Sequence, residues 1–135
     1  MPIEPRVLAD FEGAWHLDRQ IHHDDGTTAQ FQGTASWVPE GDALLYHERG
    51  QLQIAGQVPL TSEQRYRWYP DLRVTFDDGR AFHTVPATGG ETAHWCDPDQ
   101  YDVTYDFTNW PAFRVTWNVK GPRKSYRMIS AYTRA

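Results

Sequence analysis

Cysteine is nearly absent from this 135-residue chain: Cys96 stands alone, so no internal disulfide can form. Long apolar runs are missing too. No stretch approaches the ~20 residues that a membrane-spanning helix needs, and the mean hydropathy is −0.71. The opening residues, Met1-Pro2-Ile3-Glu4-Pro5-Arg6, lack the apolar core of a signal peptide. Together these absences give the expectation of a cytoplasmic protein with no membrane partner. Basic charge is short as well, with 13 Lys and Arg against 18 Asp and Glu and a net charge of −5. A chain of that sign lacks the basic stripe that neutralises phosphates, which excludes general nucleic-acid binding, although Arg123, Lys124 and Arg127 gather locally. Helical periodicity is confined to one short turn at residues 6–11. No Gly-rich phosphate loop, nucleophile elbow or His-Glu-x-x-His segment occurs.

Aromatic residues are what the chain has: six Trp, seven Tyr and six Phe, enough rigid apolar area to build most of a core. They alternate with polar residues, the period-2 pattern of strands with one buried face. Turn signals such as Asp24-Asp25-Gly26, Pro39-Glu40-Gly41-Asp42, Asp77-Asp78-Gly79, Asp97-Pro98-Asp99 and Gly121-Pro122 punctuate them, recurring about every 8–12 residues. The spacing predicts an all-β fold of about 8–10 strands, antiparallel because the connections are short. No linker or internal repeat interrupts the pattern, so residues 1–135 read as one domain with its core over about 11–134. An up-and-down barrel is the expected closure, since a sandwich would leave strand edges open.

Residues facing each other in a hairpin share one side of the sheet, so register can be read from the pattern. Across Pro98-Asp99, Cys96 is set opposite Tyr101 and His94 opposite Val103; across residues 109–111, Phe107 faces Phe113 and Val103 faces Trp117. The Gly121-Pro122-Arg123-Lys124 turn sets Val119 opposite Tyr126 and Trp117 opposite Met128. Upstream, the pairs are Phe76 with Ala81, Val74 with His83, Trp37 with Leu44, Ala35 with Tyr46 and Gly33 with Glu48. Trp15, Leu17, Arg19 and Ile21 share the inner face of the first strand, and Tyr66 and Trp68 are taken as the inward pair of theirs. Gly33, Ala35 and Ala81 then leave space among the large rings for a cavity.

Four stretches carry a family resemblance: Arg65-Tyr66-Arg67-Trp68, Phe76-Asp77-Asp78-Gly79-Arg80-Ala81-Phe82-His83, His94-Trp95-Cys96-Asp97-Pro98-Asp99-Gln100-Tyr101 and Gly121-Pro122-Arg123-Lys124-Ser125-Tyr126. They resemble an uncharacterised bacterial family of unknown function within the calycin group, which includes lipocalins, fatty-acid-binding proteins and nitrobindins. The resemblance implies a calycin-like barrel with a short N-terminal helical turn. As in lipocalin-like barrels, Trp15 of the Gly13-Ala14-Trp15 run would plug the floor, and the Arg134 guanidinium would stack on its indole. Nitrobindin-like proteins hold haem through a histidine close to the C-terminus. No histidine follows His94, so haem is not carried over.

The candidate site residues are those that parity turns inward. His83 and His94 are set opposite each other, with Cys96 two residues along. Such a set can ligate zinc, but a one-residue spacing in a strand is no zinc signature, and the bland alternative is a histidine-lined wall. The expectation is therefore no metal and no cofactor. Arg19 and Glu48 must be paired, solvated or matched to an ionic ligand, and either they hold each other or Arg19 fixes a ligand carboxylate. Tyr46, Tyr101, Tyr105 and Trp117 complete the walls. His83, His94, Tyr101 and Tyr105 are expected on one wall, the face shared with Trp117, and Arg19 and Glu48 on another. A one-residue slip would instead turn Phe82 and Trp95 inward and both histidines out. The His22-His23-Asp24-Asp25 run reads as a solvated turn.

These readings predict a lipocalin-like protein, monomer or homodimer, that binds a small partly apolar molecule. A small barrel enzyme using an Arg–Glu–Tyr set on a carboxylate-bearing aromatic substrate, similar to phenolic acid decarboxylases, is the alternative. A filled barrel serving as an interaction module is the third.

Overall fold

The computed structural model describes residues 3–135; Met1 and Pro2, at the start of the opening segment discussed above, lie outside them. A single 3₁₀ turn, Leu8–Phe11, precedes ten strands: β1 (Gly13–His23), β2 (Thr28–Glu40), β3 (Ala43–Ile54), β4 (Leu60–Trp68), β5 (Arg73–Phe76), β6 (Ala81–Thr84), β7 (Gly90–Cys96), β8 (Asp99–Asp106), β9 (Phe113–Lys120) and β10 (Ser125–Arg134). All pair antiparallel in one sheet, in the order β6-β5-β4-β3-β2-β1-β10-β9-β8-β7. The sheet curls into a nearly closed barrel, consistent with the calycin-like fold implied above. Among the described residues no helix is long and apolar enough to cross a membrane.

Alternation dictates the interior. Along β1, Trp15, Leu17 and Arg19 are buried while His16, Asp18 and Gln20 are exposed. On β9 and β10 the inward set is Phe113, Val115, Val119, Met128, Ser130 and Tyr132. Val103 faces Trp117, Val119 faces Tyr126 and Trp117 faces Met128, as the turns predicted. Trp68 is buried and Tyr66 half-buried, so the aromatic set of β4 is the inward one.

Two hairpins are tighter than expected. Glu40 pairs with Ala43 and Cys96 with Asp99, leaving only Gly41-Asp42 and Asp97-Pro98 as turns. Trp37 therefore faces Tyr46 rather than Leu44, Ala35 faces Glu48, Gly33 faces Gly50, and His94 faces Tyr101 rather than Val103. Because each shift is two residues, no side chain changes face. A bulge between Val74 and Thr75 keeps Val74 opposite His83 but moves Ala81 from Phe76 to Thr75. Ala81 is consequently exposed and gives the cavity no space. The bulge has a larger effect: Val74, Thr75, Phe82 and His83 are all buried, so β6 turns both Phe82 and His83 away from water.

Strands β6 and β7 form no ladder with each other. His83 and His94 are thus not a cross-strand pair; they stand on the two free edges of the sheet. Side chains close the seam instead. Phe82 meets His94, Tyr101 and Trp117 at ring separations of 5.2–5.8 Å, and His83 Nε2 hydrogen-bonds the Tyr105 hydroxyl at 2.7 Å. Trp95 on β7 points outward, 58 % exposed.

At the floor, the 3₁₀ turn drops Phe11 among Trp37, Trp68, Phe107, Trp110 and Phe113, at 5.0–6.0 Å between rings. The Trp15 indole N–H donates to the Phe11 carbonyl at 2.9 Å. Arg134, cross-strand partner of Trp15, lies 3.9 Å over its ring and donates to the Glu12 and Asp10 carbonyls. The guanidinium therefore fastens the N-terminal turn as well as covering the indole. Trp15→Ala is expected to cost about 3–5 kcal/mol, the range for deleting a buried aromatic. Urea unfolding measures it, and a loss under about 1 kcal/mol would show that the floor does not depend on this ring.

Candidate functional site

Arg19 on β1 and Glu48 on β3 project into the barrel from either side of β2. Their cross-strand partners on β2 are Phe31 and Ala35, and Gly33 lies between those two on the same face. The ion pair thus spans β2 where no side chain intervenes. Gly33 also faces Gly50, and a Cβ on either would strike the other strand's backbone. The space these glycines leave is used for close approach of strands and for the ion pair, rather than for open cavity.

The pair is closed on itself. Arg19 Nη1 and Nη2 donate to Glu48 Oε2 and Oε1 at 2.5 and 2.9 Å, and Arg19 Nε donates to Ser130 Oγ at 2.7 Å. The Tyr46 hydroxyl donates to Glu48 Oε1 at 2.7 Å and accepts from the Tyr132 hydroxyl at 2.8 Å. Burial opposes the Arg19 charge, but the hydrogen bond and charge of Glu48 outweigh it and hold the guanidinium protonated beyond its ordinary range. Burial raises the Tyr46 and Tyr105 hydroxyls well above the ordinary phenol range and Tyr132 to about 12. At neutral pH the guanidinium is charged and the phenols are protonated, and Arg19 and Glu48 bind one to one within the group.

Two spaces border this network. An inner chamber of about 40 Å³ lies between it and the aromatic floor, with Trp37, Tyr46, Trp68, His83 and Tyr105 among its walls. A vestibule of about 270 Å³ continues toward the other end, past Phe31, Tyr101, Tyr126 and Met128. Arg19, Glu48, Tyr66, Phe82 and Trp117 border both.

The residues singled out from the sequence therefore divide. Arg19, Tyr46, Glu48, His83, Tyr105 and Trp117 line the chamber and Tyr101 the vestibule. His94 and Cys96 border neither: β7 is a free edge, and His94 packs at the seam against Phe76 and Phe82 at 6.0 and 5.5 Å. Among the described residues no three His, Cys, Asp or Glu gather as a metal-ligand set. His22, His23, Asp24 and Asp25 are exposed at the β1–β2 turn. Sequence reasoning missed Ser130 and Trp37 as polar contributors. Both have inward parity, Ser130 between Met128 and Tyr132 on β10 and Trp37 after Phe31, Gly33 and Ala35 on β2, and a polar atom on an inward face is the signal that was available.

His83 is held neutral: burial, then the neighbouring His94, pushes it down to about 4. Its unfolded value is about 6.5, so between the two the unfolded chain binds the extra proton. The stabilisation linked to His83 is complete above about pH 6.5 and is lost as pH falls toward 4, about 3 kcal/mol in all. Unfolding free energies of wild type and His83→Gln measured from pH 7 to 4 should converge as pH falls, and a constant difference would mean that His83 titrates normally. For the ion pair, Glu48→Ala strands a buried guanidinium and should cost about 3–5 kcal/mol. An Arg19→Met/Glu48→Leu double variant should recover most of that loss. A double variant no better than Glu48→Ala would contradict this account of the pair.

The fold resembles that of the S-type phycobiliprotein lyase CPES from Guillardia theta, with a TM-score of 0.63 over 95 % of this chain and 90 % of that one, at 10 % sequence identity. No curated protein matches the chain by sequence. A family model matches residues 11–134, from the Phe11 plug to the Arg134 that fastens it, and by that match the chain belongs to DUF6314, a family of unknown function.

Proposed function

We propose that this protein holds a small, partly apolar molecule inside its barrel, in the cytoplasm, without transforming it. The observation that carries the reading is the chamber-and-vestibule interior. It is walled by aromatic rings and bordered by a polar network in which Arg19 and Glu48 hold each other. Binding sites for small molecules combine apolar walls with a few fixed polar groups in this way. The vestibule also weighs against a filled barrel acting only as an interaction module. Fold similarity to a phycobiliprotein lyase is compatible with a barrel that accommodates a small molecule.

The enzymatic alternative needs Arg19 free to take a substrate carboxylate and Glu48 free to move a proton. Both are engaged by each other, and the nearby phenols remain protonated. That arrangement favours holding over proton transfer.

Native mass spectrometry of protein purified from its own host tests the reading. A non-covalent small-molecule adduct is expected, and it should be lost in Val115→Trp, which puts bulk into the chamber wall. Mass equal to the bare chain, in preparations that also bind no apolar probe, would defeat the proposal.

A further inference from the structure

Strand β4 outruns its neighbour. Only its last three residues, Tyr66, Arg67 and Trp68, pair with β5, and residues 60–65 have no strand on that side among the described residues. The cause is the length of the next hairpin. β5 ends at Phe76, and the chain turns back through Asp77-Asp78-Gly79, with the Gly79 N–H donating to the Phe76 carbonyl at 2.9 Å. Residues 60–65 therefore form a free edge, on which alternate residues direct N–H and C=O groups away from β3. The gap lies beside the vestibule. Val74 and Phe76 stand opposite Trp68 and Tyr66, and the next two places in that column, beside Gln64 and Ser62, are left without a residue of β5. Both Ser62 and Gln64 border the vestibule. Gln64 is exposed despite its inward parity and Leu60 is 54 % exposed, as a missing neighbour requires.

A free strand edge is completed by another strand. We propose that the edge at residues 60–65 takes up an extended peptide segment of a partner protein, with an aromatic side chain turned to the vestibule and a carboxylate on its outer face. The segment takes the line that β5 leaves, and β5 is antiparallel to β4, so the segment is antiparallel too. Opposite residues share a face. The residue beside Gln64 therefore faces the vestibule, which Tyr66, Phe76 and Tyr101 border with their rings, and a bulky apolar group suits that place. The residue beside Arg65 faces outward. There Arg49 and Arg65 flank Glu63, whose carboxylate is already bonded to His47 Nε2 at 2.8 Å, so two guanidiniums stand against one carboxylate. The acids of the adjacent turn have partners of their own, Asp77 in Arg67 at 3.2 Å and Asp78 in Arg80 at 2.7 Å. A second copy of this chain suits the edge less well, because the inward residues of its own free stretch are Leu60, Ser62 and Gln64, with no ring among them. A small molecule in the vestibule is not required for this contact.

The capped peptide Glu-Phe-Thr-Val-Thr-Leu places Glu beside Arg65 and Phe beside Gln64, and its titration into the full chain is read from ¹H–¹⁵N resonances. The amides of residues 60–65 are expected to shift and to gain protection from exchange. Replacing the peptide's Phe by Ala should weaken binding at least about tenfold, as the loss of a buried aromatic implies. Replacing its Glu by Lys should weaken binding about threefold, and Arg65→Glu should reverse that preference. N-methylation tests the backbone contact. Methyl groups on one alternate set of peptide nitrogens should abolish binding, and on the other set should leave it unchanged, because only alternate residues bond to β4. Equal loss from both sets, shifts confined to other strands, or no binding up to about 1 mM overturns the proposal. Without peptide, a rise to twice the chain mass with protection of residues 60–65 would put a second copy on this edge and overturns it as well. The N-methyl pair needs only the wild-type protein, so the test stands even if Arg65→Glu does not fold.

Discussion

Two charges removed from water at one place organise this interior. Arg19 and Glu48 are affordable inside a barrel only because every part of each finds a partner: both ends of the guanidinium fork, its Nε, and the carboxylate oxygens. Those partners come from β1, β3 and β10, and the pair itself crosses β2 at a glycine. The network thereby fixes the relative position of four neighbouring strands. It also divides the lumen, with a small chamber on the floor side and a roomier vestibule beyond. What the interior can accommodate follows from that placement.

The second constraint is the incomplete ladder. A sheet that closes by backbone pairing has no edges, whereas this one leaves β6 and β7 unpaired with each other and joins them through rings and one His–Tyr hydrogen bond. The bulge at Val74–Thr75 makes this closure workable, because it turns both Phe82 and His83 of a four-residue strand to the interior. Phe82 then fastens the seam while His83 faces the chamber. One short strand serves stability and site chemistry at once.

Much of this was legible in the sequence, and for a definite reason. Side chains alternate with a period of two, so the inward identity of Trp15, Arg19, Glu48, Tyr105 and Trp117 survives an error of two residues in turn length. The turn lengths themselves were not legible. Gly41-Asp42 and Asp97-Pro98 sit within longer polar runs, and composition does not say which two residues make the bend. The bulge was hidden for a related cause: Phe82 and His83 each fit an inward face, and alternation admits only one of them. The seam broke the assumption that sequential strands pair, which is why His94 and Cys96 were placed on a wall that β7 does not form. Phe11 was read only as part of a helical turn, since nothing local marks an aromatic beside a first strand as the plug of a floor.

The pairing of β1 with β10 deserves to be considered in time as well as in space. Strands β1–β6 form one meander and β7–β10 another, and the two are joined in the sheet only where β1 meets β10. Contacts there link residues as far apart as Asp10 and Arg134, a separation of 124. Neither meander can shelter its aromatic face until that junction forms, and β1 waits as an open edge eleven residues long. Beyond Ala14 its outward residues, His16, Asp18, Gln20 and His22, are all polar. They keep the waiting strand soluble on one face through the interval in which the other is still exposed, and a chain stopped short of Arg134 would emerge with that interval unended.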